Sequence, residues 1–399
     1  MVDKILLYSY QNPERANKIE SAFELKMMLL KGTDSASRRE HTITHAQWLE
    51  SLGTNFEKQE DDRLSFYWYE QALLLYRKEK AHSDISRLML LLEPIKLRNM
   101  EKMMSFSNEI DVSREYEIVK TLMSRRPTIS EKIICLCALT HFDKKQEIEA
   151  DVIRNSNKYV FTKLSTANLL DKSGRSIIKI PPLSLKNPRE DKDILELHMH
   201  REAAERQHYY GKMMINMAWY IIKEEHPSVV AEDLDFLVNE NSMIPNDRKQ
   251  LFKLGFVYGL NGDLYTSLHL LVPQMENFFR ELATLCGGVV YSVDEDGTEQ
   301  TKTLKSVFDI PELVECYEED ILSIFEGLLN QKAGANLRNK VAHGLLDSDE
   351  GNSTISLYFF SAVLKLLSWY SPDSVALYKG IRDEIDNLVA SFEPSGEIG

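Results

Sequence analysis

The sequence is poor in the residues on which small specialised folds depend. Its 399 residues include 4 Cys, 12 Pro and 17 Gly. Four cysteines are too few for a disulfide framework, and their spacing does not match a zinc site. The chain also lacks an apolar run long enough to span a membrane and an apolar N-terminal stretch typical of a signal peptide. We therefore expect a cytoplasmic protein with no membrane partner.

Positive charge is scarce as well. The chain has 48 Lys and Arg against 62 Asp and Glu, which gives a formal net charge of −14. This balance argues against a surface that coats nucleic acid along its length, although it is compatible with a small basic site in one cleft. The composition therefore excludes a histone-like binder.

Helix-forming patterns, by contrast, are abundant. Apolar residues recur at helical spacing from Pro13 to about Lys31, over 56–79, 84–104 and 113–124, and through most of the chain after residue 190. The one hairpin pattern joins 289–293 to 298–304 through an acidic turn. The sequence predicts a mainly α fold with one small inserted β-hairpin.

One segment has the composition of a domain boundary. Residues 171–190 contain three of the twelve prolines together with Gly174, and both residue types interrupt regular structure. The sequence therefore predicts a multi-helix N-terminal domain over 1–170, a linker over 171–190 and a helical C-terminal domain over 191–399. The role of the N-terminal domain stays open at this point.

Motifs for several common chemistries are absent. The sequence contains no phosphate-binding P-loop, no GxGxxG and no GxSxG. His41 and His45 are four residues apart, but HTITH lacks the Glu of a zinc protease, so we interpret the pair as part of an exposed helix face. Cys135 and Cys137 lie in the apolar run IICLCAL and are interpreted as core thiols. We expect neither a metal nor a cofactor.

One pattern of two residues is typical of a class of ribonucleases, namely Arg and His separated by four to six residues. With 19 Arg and 10 His in the chain, such pairs also arise by chance, and the spacing alone does not select one. The sequence contains five: Arg38–His45, Arg39–His45, Arg77–His82, Arg201–His208 and Arg338–His343.

The surroundings of Arg338–His343 set this pair apart. They comprise LHLLVPQMENFFREL (268–282), the acidic turn in DEDGTEQTKTL (294–304), the helix DILSIFEGLL (320–329) and GANLRNKVAHGLL (334–346). In these blocks the chain resembles the HEPN-like family catalogued as domain of unknown function 4209. The core of the resemblance covers 263–346, looser similarity reaches back to about 208, and residues 1–190 are not covered.

The resemblance implies a helical HEPN-like domain over 191–399, of the kind found in RNA-cleaving toxins and antiviral defence effectors. HEPN nucleases usually dimerise, so that two Arg–His motifs share one composite cleft. They cut RNA without a metal and leave a 2′,3′-cyclic phosphate and a 5′-hydroxyl. The resemblance thus implies a homodimer and an RNA substrate, such as tRNA or another structured RNA.

Three residues of the motif suit this chemistry. His343 can accept a proton from a ribose 2′-hydroxyl or donate one to the leaving oxygen, because the reference pKa of His is about 6.5. Arg338 can hold the scissile phosphate with its guanidinium fork. Asn339 shares a helix face with His343, so we expect it to orient the imidazole or a ribose hydroxyl.

Four further residues are expected to support the site. Asn336 is predicted to be the N-cap of the helix that carries Arg338, where the helix dipole also favours phosphate. Gly344 is predicted to allow either a helix end or close packing. Glu276 and Arg280 match the family and are expected either to position Arg338 or His343 or to form an ordinary ion pair on a helix surface.

Two functions of different classes follow from these observations. The first is a metal-independent endoribonuclease in bacterial antiphage or toxin-type defence, in which the N-terminal half senses a trigger, restrains the nuclease or recruits a partner protein of the defence system. The alternative is a non-catalytic helical scaffold or regulatory subunit whose HEPN domain serves dimerisation and partner binding. In that alternative the motif only locks two helices together.

Overall fold

The computed structural model describes residues 16–30, 35–102, 111–159 and 161–392. The predicted start of the first helix at Pro13 lies outside the described residues. The chain divides into two compact units: Met1–Asn108 with Leu170–Ile177, and Glu109–Leu169 with Ile178–Gly399. Each unit is described by itself.

The described part of the N-terminal unit consists of consecutive helices that pack together. In chain order they are α1 (Ala16–Leu29), α2 (Ser35–Lys58), α3 (Asp62–Lys78) and α4 (His82–Glu101). Their shared core contains the fully buried rings of Trp48, Tyr69 and Tyr76. A Cβ atom on Gly53 of α2 would lie 2.6 Å from the ring of Tyr69, so the close packing of α2 on α3 requires glycine there.

The C-terminal unit contains most of the regular structure of the described residues. Between residues 113 and 260 the chain forms α5 (Ser113–Ser124), α6 (Ile129–Leu139), α7 (Lys145–Lys158), α8 (Phe161–Leu164), β1 (Ala167–Leu170), β2 (Ser176–Ile180), α9 (Lys192–Tyr210), a short π-helix (Gly211–Ile215), α10 (Asn216–Glu225), a 3₁₀ turn (Ala231–Leu234), α11 (Asp235–Val238) and α12 (Lys249–Leu260). They are followed by α13 (Leu264–Leu285), β3 (Tyr291–Val293), β4 (Glu299–Thr301), α14 (Leu304–Phe308), α15 (Pro311–Cys316), α16 (Glu319–Leu329), α17 (Leu337–Ala342), α18 (Ser348–Gly351), α19 (Thr354–Ser368) and α20 (Pro372–Phe392).

The core of this unit is built around α19. Every residue of α19 from Ser356 to Ser368 is buried, including Lys365, as expected for a mostly apolar helix at the centre of a core. The helices packed against it include α6, α9 and α13. Because α13 contributes a long apolar face to this core, its opposite face is held in a fixed position.

The mainly α prediction is confirmed, and so is the hairpin in the C-terminal half. Tyr291 pairs with Thr301 and Val293 with Glu299 in the antiparallel β3–β4 ribbon. A second small sheet, β1–β2, was not predicted, and its strand β2 lies inside the segment expected to be a linker. In the described residues, no helix is both long and apolar enough to cross a membrane.

The division into units differs from the boundary expected at 171–190: the first unit runs to Asn108 and also takes in Leu170–Ile177, and Glu109–Leu169 belongs to the second unit. The reason is the apolar run Ile133–Leu139 on α6, which is buried in the same core as α19 and α13. The expected core thiols Cys135 and Cys137 are part of this run, and both are buried. A pattern of prolines marks where regular structure stops, but burial of apolar surface decides which segments pack together.

Candidate functional site

The candidate site lies on α17, a short helix held tightly against α16. The amide of Ala335 donates a hydrogen bond of 3.1 Å to the carbonyl of Gly327 on α16. A Cβ atom on Gly334 would overlap that same carbonyl, so only glycine permits this approach. Leu337 is fully buried at the start of α17 and anchors the helix in the core. Leu337, together with Val341 one turn later, therefore holds one side of α17 on the core.

Arg338 on α17 forms an ion pair with Glu276 on α13. Its Nε lies 2.9 Å from one carboxylate oxygen of Glu276, and its Nη2 lies 3.4 Å from the other. Glu276 also accepts a hydrogen bond of 2.5 Å from Nη2 of Arg280, one turn along α13. The Glu276 side chain is 14% exposed and that of Arg338 is 31% exposed, so this pair lies at the edge of the core.

The charge balance of this cluster favours an ionised carboxylate. Burial by itself raises the pKa of Glu276, but the hydrogen bonds and charges of Arg338 and Arg280 outweigh burial. The pKa of Glu276 therefore lies below its usual value of 4.5. The three residues together carry one net positive charge, which suits an anion better than a cation.

Arg280 has a second set of contacts. Its Nη2 also donates to the carbonyl of Lys302, just after strand β4, at 3.3 Å. Its Nε is buried and has no hydrogen-bond partner within the part of the chain that the structure describes. Arg280 therefore links the cluster to the β3–β4 ribbon. Two roles were expected for Glu276 and Arg280: contact with Arg338 or His343, or an ion pair with each other only. The structure shows the ion pair and, in addition, the contact of Glu276 with Arg338.

Asn336 occupies the N-cap position of α17 but does not cap the helix. Its backbone has the left-handed conformation with φ of 54°, and its side chain makes no capping hydrogen bond. Instead, Oδ1 of Asn336 accepts a hydrogen bond of 2.6 Å from Nδ2 of Asn339. The predicted N-cap position of Asn336 is therefore confirmed, but the side-chain hydrogen bond expected of an N-cap residue is not formed. Because α17 is only six residues long, its dipole is weak, and the expected attraction of phosphate to its first turn has little physical basis.

Asn339 is oriented toward Arg338 rather than toward His343. Nη1 of Arg338 lies 3.4 Å from Oδ1 of Asn339, while Nδ2 of Asn339 is held by Asn336. The only contact of Asn339 with His343 among the described hydrogen bonds is through the backbone, where the His343 amide donates to the Asn339 carbonyl at 3.1 Å. Asn339 thus fixes the guanidinium and not the imidazole.

His343 follows directly after α17 and is exposed to solvent. Within the described residues its imidazole has no hydrogen-bond or ion-pair partner and is therefore free to meet a ligand. Gly344 comes next with φ of +63°, and a Cβ atom on it would meet nothing within 4 Å. Of the two roles predicted for Gly344, the structure shows the helix end and not close packing.

Lys340 is a further charged residue of the motif that the sequence did not single out. Its Nζ contacts the carboxylate of Glu350 on α18, and this ion pair ties the two short helices together. The partners are ten positions apart across an irregular connection, so no helical or strand spacing signals the contact.

The other histidine pair is not a metal site. His41 is buried, and its Nε2 lies 2.9 Å from the carbonyl of Phe23. The ring of His45 stacks on that of Phe23 with centroids 4.3 Å apart. The interpretation of an exposed helix face is therefore wrong, because both rings pack between α1 and α2. Among the described residues, no group of three or more His, Cys, Asp or Glu side chains is placed to hold a metal ion.

Comparison of the chain with protein families, curated proteins and solved structures finds no match. The resemblance to the HEPN-like family stays a prediction that depends on the sequence blocks between 263 and 346. The structure adds one cluster of charged and polar side chains beside the motif, formed by Glu276, Arg280, Arg338, Asn339 and His343.

Proposed function

We propose that this protein is a metal-independent endoribonuclease that cuts RNA at a site formed by Arg338 and His343. The single observation that carries the proposal is a guanidinium on α17 that is held in place by Glu276, with the exposed imidazole of His343 directly after the end of the same helix. The sequence resemblance adds the expectation of a homodimer and of a role in bacterial antiphage or toxin-type defence. In that role a defence partner or the N-terminal unit would control the activity.

His343 would act as the proton carrier. A neutral imidazole accepts the proton of the 2′-hydroxyl, whose oxygen then attacks the adjacent phosphorus and displaces the 5′-oxygen. The leaving oxygen takes a proton from an imidazolium, which the second protomer of a dimer would supply. The products are a 2′,3′-cyclic phosphate and a 5′-hydroxyl, and no metal-bound water takes part.

Arg338 would stabilise the charge that develops on the phosphate. Its Nε and Nη2 are directed at Glu276, whereas Nη1 has only the long contact of 3.4 Å with Asn339. The guanidinium has five N–H donors, so the edge that carries Nη1 can still donate to a phosphate oxygen. Glu276 and Asn339 would hold this edge in position before the substrate arrives.

The alternative function is a scaffold or regulatory subunit, and one observation favours it. Arg338 already has a carboxylate partner inside its own chain, which is the arrangement expected if the motif only joins α17 to α13. The net charge of −14 also reduces the attraction for RNA. In this case the helical domain would mediate assembly, and His343 would have no chemical role.

RNA cleavage in the presence of EDTA separates the two functions. The wild type is incubated with total RNA, tRNA and a structured loop substrate, and the ends of the products are analysed. For the nuclease we expect cyclic-phosphate ends and a loss of about 100-fold or more in His343→Ala and in Arg338→Ala. Cleavage that requires a divalent cation would contradict the proposed mechanism.

The chain offers a matched control for these variants. Arg77 and His82 have the same spacing as Arg338 and His343, and both are exposed, but they lie in the N-terminal unit. The double variant Arg77→Ala/His82→Ala should cleave like the wild type. Equal losses in the control and the motif variants would point to a contaminating nuclease, and a folded dimer that cleaves none of the substrates would favour the scaffold.

A further inference from the structure

Two arginines share one carboxylate oxygen beside the motif. Nη2 of Arg280 on α13 lies 2.5 Å from Oε1 of Glu276, and Nη2 of Arg338 on α17 lies 3.4 Å from the same oxygen. The two guanidinium groups are therefore neighbours, although they belong to different helices. The side chains of Arg280 and Arg338 are 22% and 31% exposed, so both are accessible to a ligand from solvent.

The orientation of Arg280 is fixed by two acceptors on a single nitrogen. Its Nη2 donates both to Glu276 and to the carbonyl of Lys302, the latter at 3.3 Å. Within the part of the chain that the structure describes, neither Nη1 nor Nε of Arg280 has a hydrogen-bond partner. Because a guanidinium has five N–H donors, most of those of Arg280 remain unused. Arg280 is thus a cation that is held in place and still has donors to offer.

The charge of this cluster matches a ligand with a single negative charge. Two guanidinium groups and the ionised carboxylate of Glu276 leave one positive charge in total. An internal phosphodiester carries one negative charge and neutralises the cluster. A terminal phosphate monoester carries about 1.5 to 2 negative charges at neutral pH and would leave part of its charge unpaired at the edge of the core. The cluster therefore suits a phosphate within a chain better than one at its end.

We infer that Arg280 and Arg338 together bind one internal phosphodiester, which makes Arg280 a second phosphate-contacting residue of the site. The inference rests on the proposed function for the identity of the ligand as RNA. Nη1 of Arg338 has only the long contact of 3.4 Å with Asn339, and Nη1 of Arg280 has none among the described residues. The two groups can therefore donate to different oxygens of one phosphate and offset its charge from two directions.

Binding of an RNA that cannot be cut tests the inference separately from cleavage. The probe is a fluorescein-labelled, single-stranded 2′-O-methyl RNA oligonucleotide, in which the attacking hydroxyl is blocked. Its affinity for the full-length protein is measured by fluorescence anisotropy between about 50 and 200 mM salt. For Arg280→Met we expect binding about 10-fold weaker than that of the wild type. The slope of log K against log salt should become smaller in magnitude by about 0.7, because one phosphate is no longer neutralised.

Two further variants separate phosphate binding from a purely structural role of Arg280. Arg280→Lys keeps the positive charge, so it should retain the salt slope of the wild type while binding less tightly, because the guanidinium fork is lost. Arg201→Met is the matched control: it removes the arginine of another ion pair between helix positions four apart, Arg201–Glu205, and should bind RNA like the wild type. In Arg280→Met, Glu276 keeps Arg338 as its partner, so we expect a folded protein, which circular dichroism verifies.

Three results would overturn the inference. The first is an Arg280→Met variant with the affinity and salt slope of the wild type, and the second is a folded wild type that does not bind the uncleavable RNA. The third is a gain in affinity from a 5′-terminal phosphate on the oligonucleotide that Arg280→Met abolishes, since this would assign the site to a terminal phosphate. A wild type that binds with an Arg280-dependent salt slope but cuts no RNA would contradict the proposed function and support this inference.

Discussion

The carboxylate of Glu276 lies 2.9 Å from Nε of Arg338, although the two residues are 62 positions apart in the chain. Glu276 belongs to the long helix α13, whose other face is buried in the core, and Arg338 belongs to the six-residue helix α17. The contact therefore joins the motif to a long helix that is packed into the core. The effect of this contact on the free energy of unfolding can be measured separately from its effect on RNA cleavage.

The first prediction concerns the loss of the Glu276 charge. Glu276→Gln keeps the shape of the side chain but leaves Arg338 and Arg280 without a carboxylate partner. We expect the free energy of unfolding to fall by about 2 kcal/mol, since half-buried charges lose their pairing. Urea unfolding followed by circular dichroism measures this, with Glu281→Gln on the exposed side of the same helix as the control. A change no larger than that of the control would show that the ion pair contributes nothing to stability.

The second prediction concerns the pH dependence of that same contact. Because the pKa of Glu276 is lowered in the folded protein, the carboxylate stabilises the fold at pH values above its usual pKa of 4.5. This contribution is lost as the pH falls through the lower pKa of the folded state. The difference in unfolding free energy between wild type and Glu276→Gln should therefore be larger at pH 7 than at pH 3.5. A difference that is constant with pH would contradict the charge assignment.

The sequence predicts those elements of the fold whose signal lies within a few neighbouring residues, and it misses those that depend on distant contacts. The hairpin at β3–β4 and the helices α13 and α17 were predicted, because turn residues and apolar spacing are local properties. The helix α2 was indicated only by the helix face assigned to His41 and His45, because its mixed composition gives a weak periodic signal. Those histidines turned out to be packed against Phe23 rather than exposed.

For the candidate site, too, the sequence identified residues but not the contacts between their side chains. The sequence pointed to Glu276, Arg338 and His343 together, but it could not show that Asn339 contacts Arg338 rather than the imidazole. The sequence placed Asn336 at the N-cap position correctly, but it could not show that the side chain makes no capping bond, because a short polar residue before a helix is compatible both with capping and with a left-handed turn. The contact between Lys340 and Glu350 was missed because the irregular backbone between them has no periodicity to detect.

The third prediction compares two glycines on either side of α17. Gly334→Ala would place a Cβ atom against the carbonyl of Gly327, and this neighbour is backbone that cannot rotate away. In Gly344→Ala the new Cβ atom has open space around it, so the only cost is the backbone strain of a non-glycine residue at φ of +63°. We expect a loss of about 1 kcal/mol for Gly344→Ala and of more than about 2 kcal/mol for Gly334→Ala in urea unfolding. Equal losses would mean that the approach of α17 to α16 is less tight than described.

The fourth prediction concerns acid stability and involves His45 in the N-terminal unit. Burial, and then the nearby His41, lower the pKa of His45 from 6.5 to about 4. The folded protein therefore keeps this ring neutral at a pH where the unfolded chain has already bound a proton. As a result, the stability of the wild type should fall as the pH decreases from about 6.5 to about 4.

Replacement of His45 by an aromatic residue without a titrating group tests this directly. His45→Phe keeps the stacking on Phe23 and removes the proton-binding site, so its unfolding free energy should depend less on pH than that of the wild type between pH 4 and 6.5. At pH 4.5 we expect this difference to reach about 2 kcal/mol relative to the difference at pH 7.5. His82→Phe serves as the control, because His82 is exposed and its replacement should leave the pH dependence of the wild type in place. If both variants follow the same pH profile, the acid sensitivity of the N-terminal unit must come from other residues, and the His45 ring must be able to bind a proton without leaving its stack on Phe23.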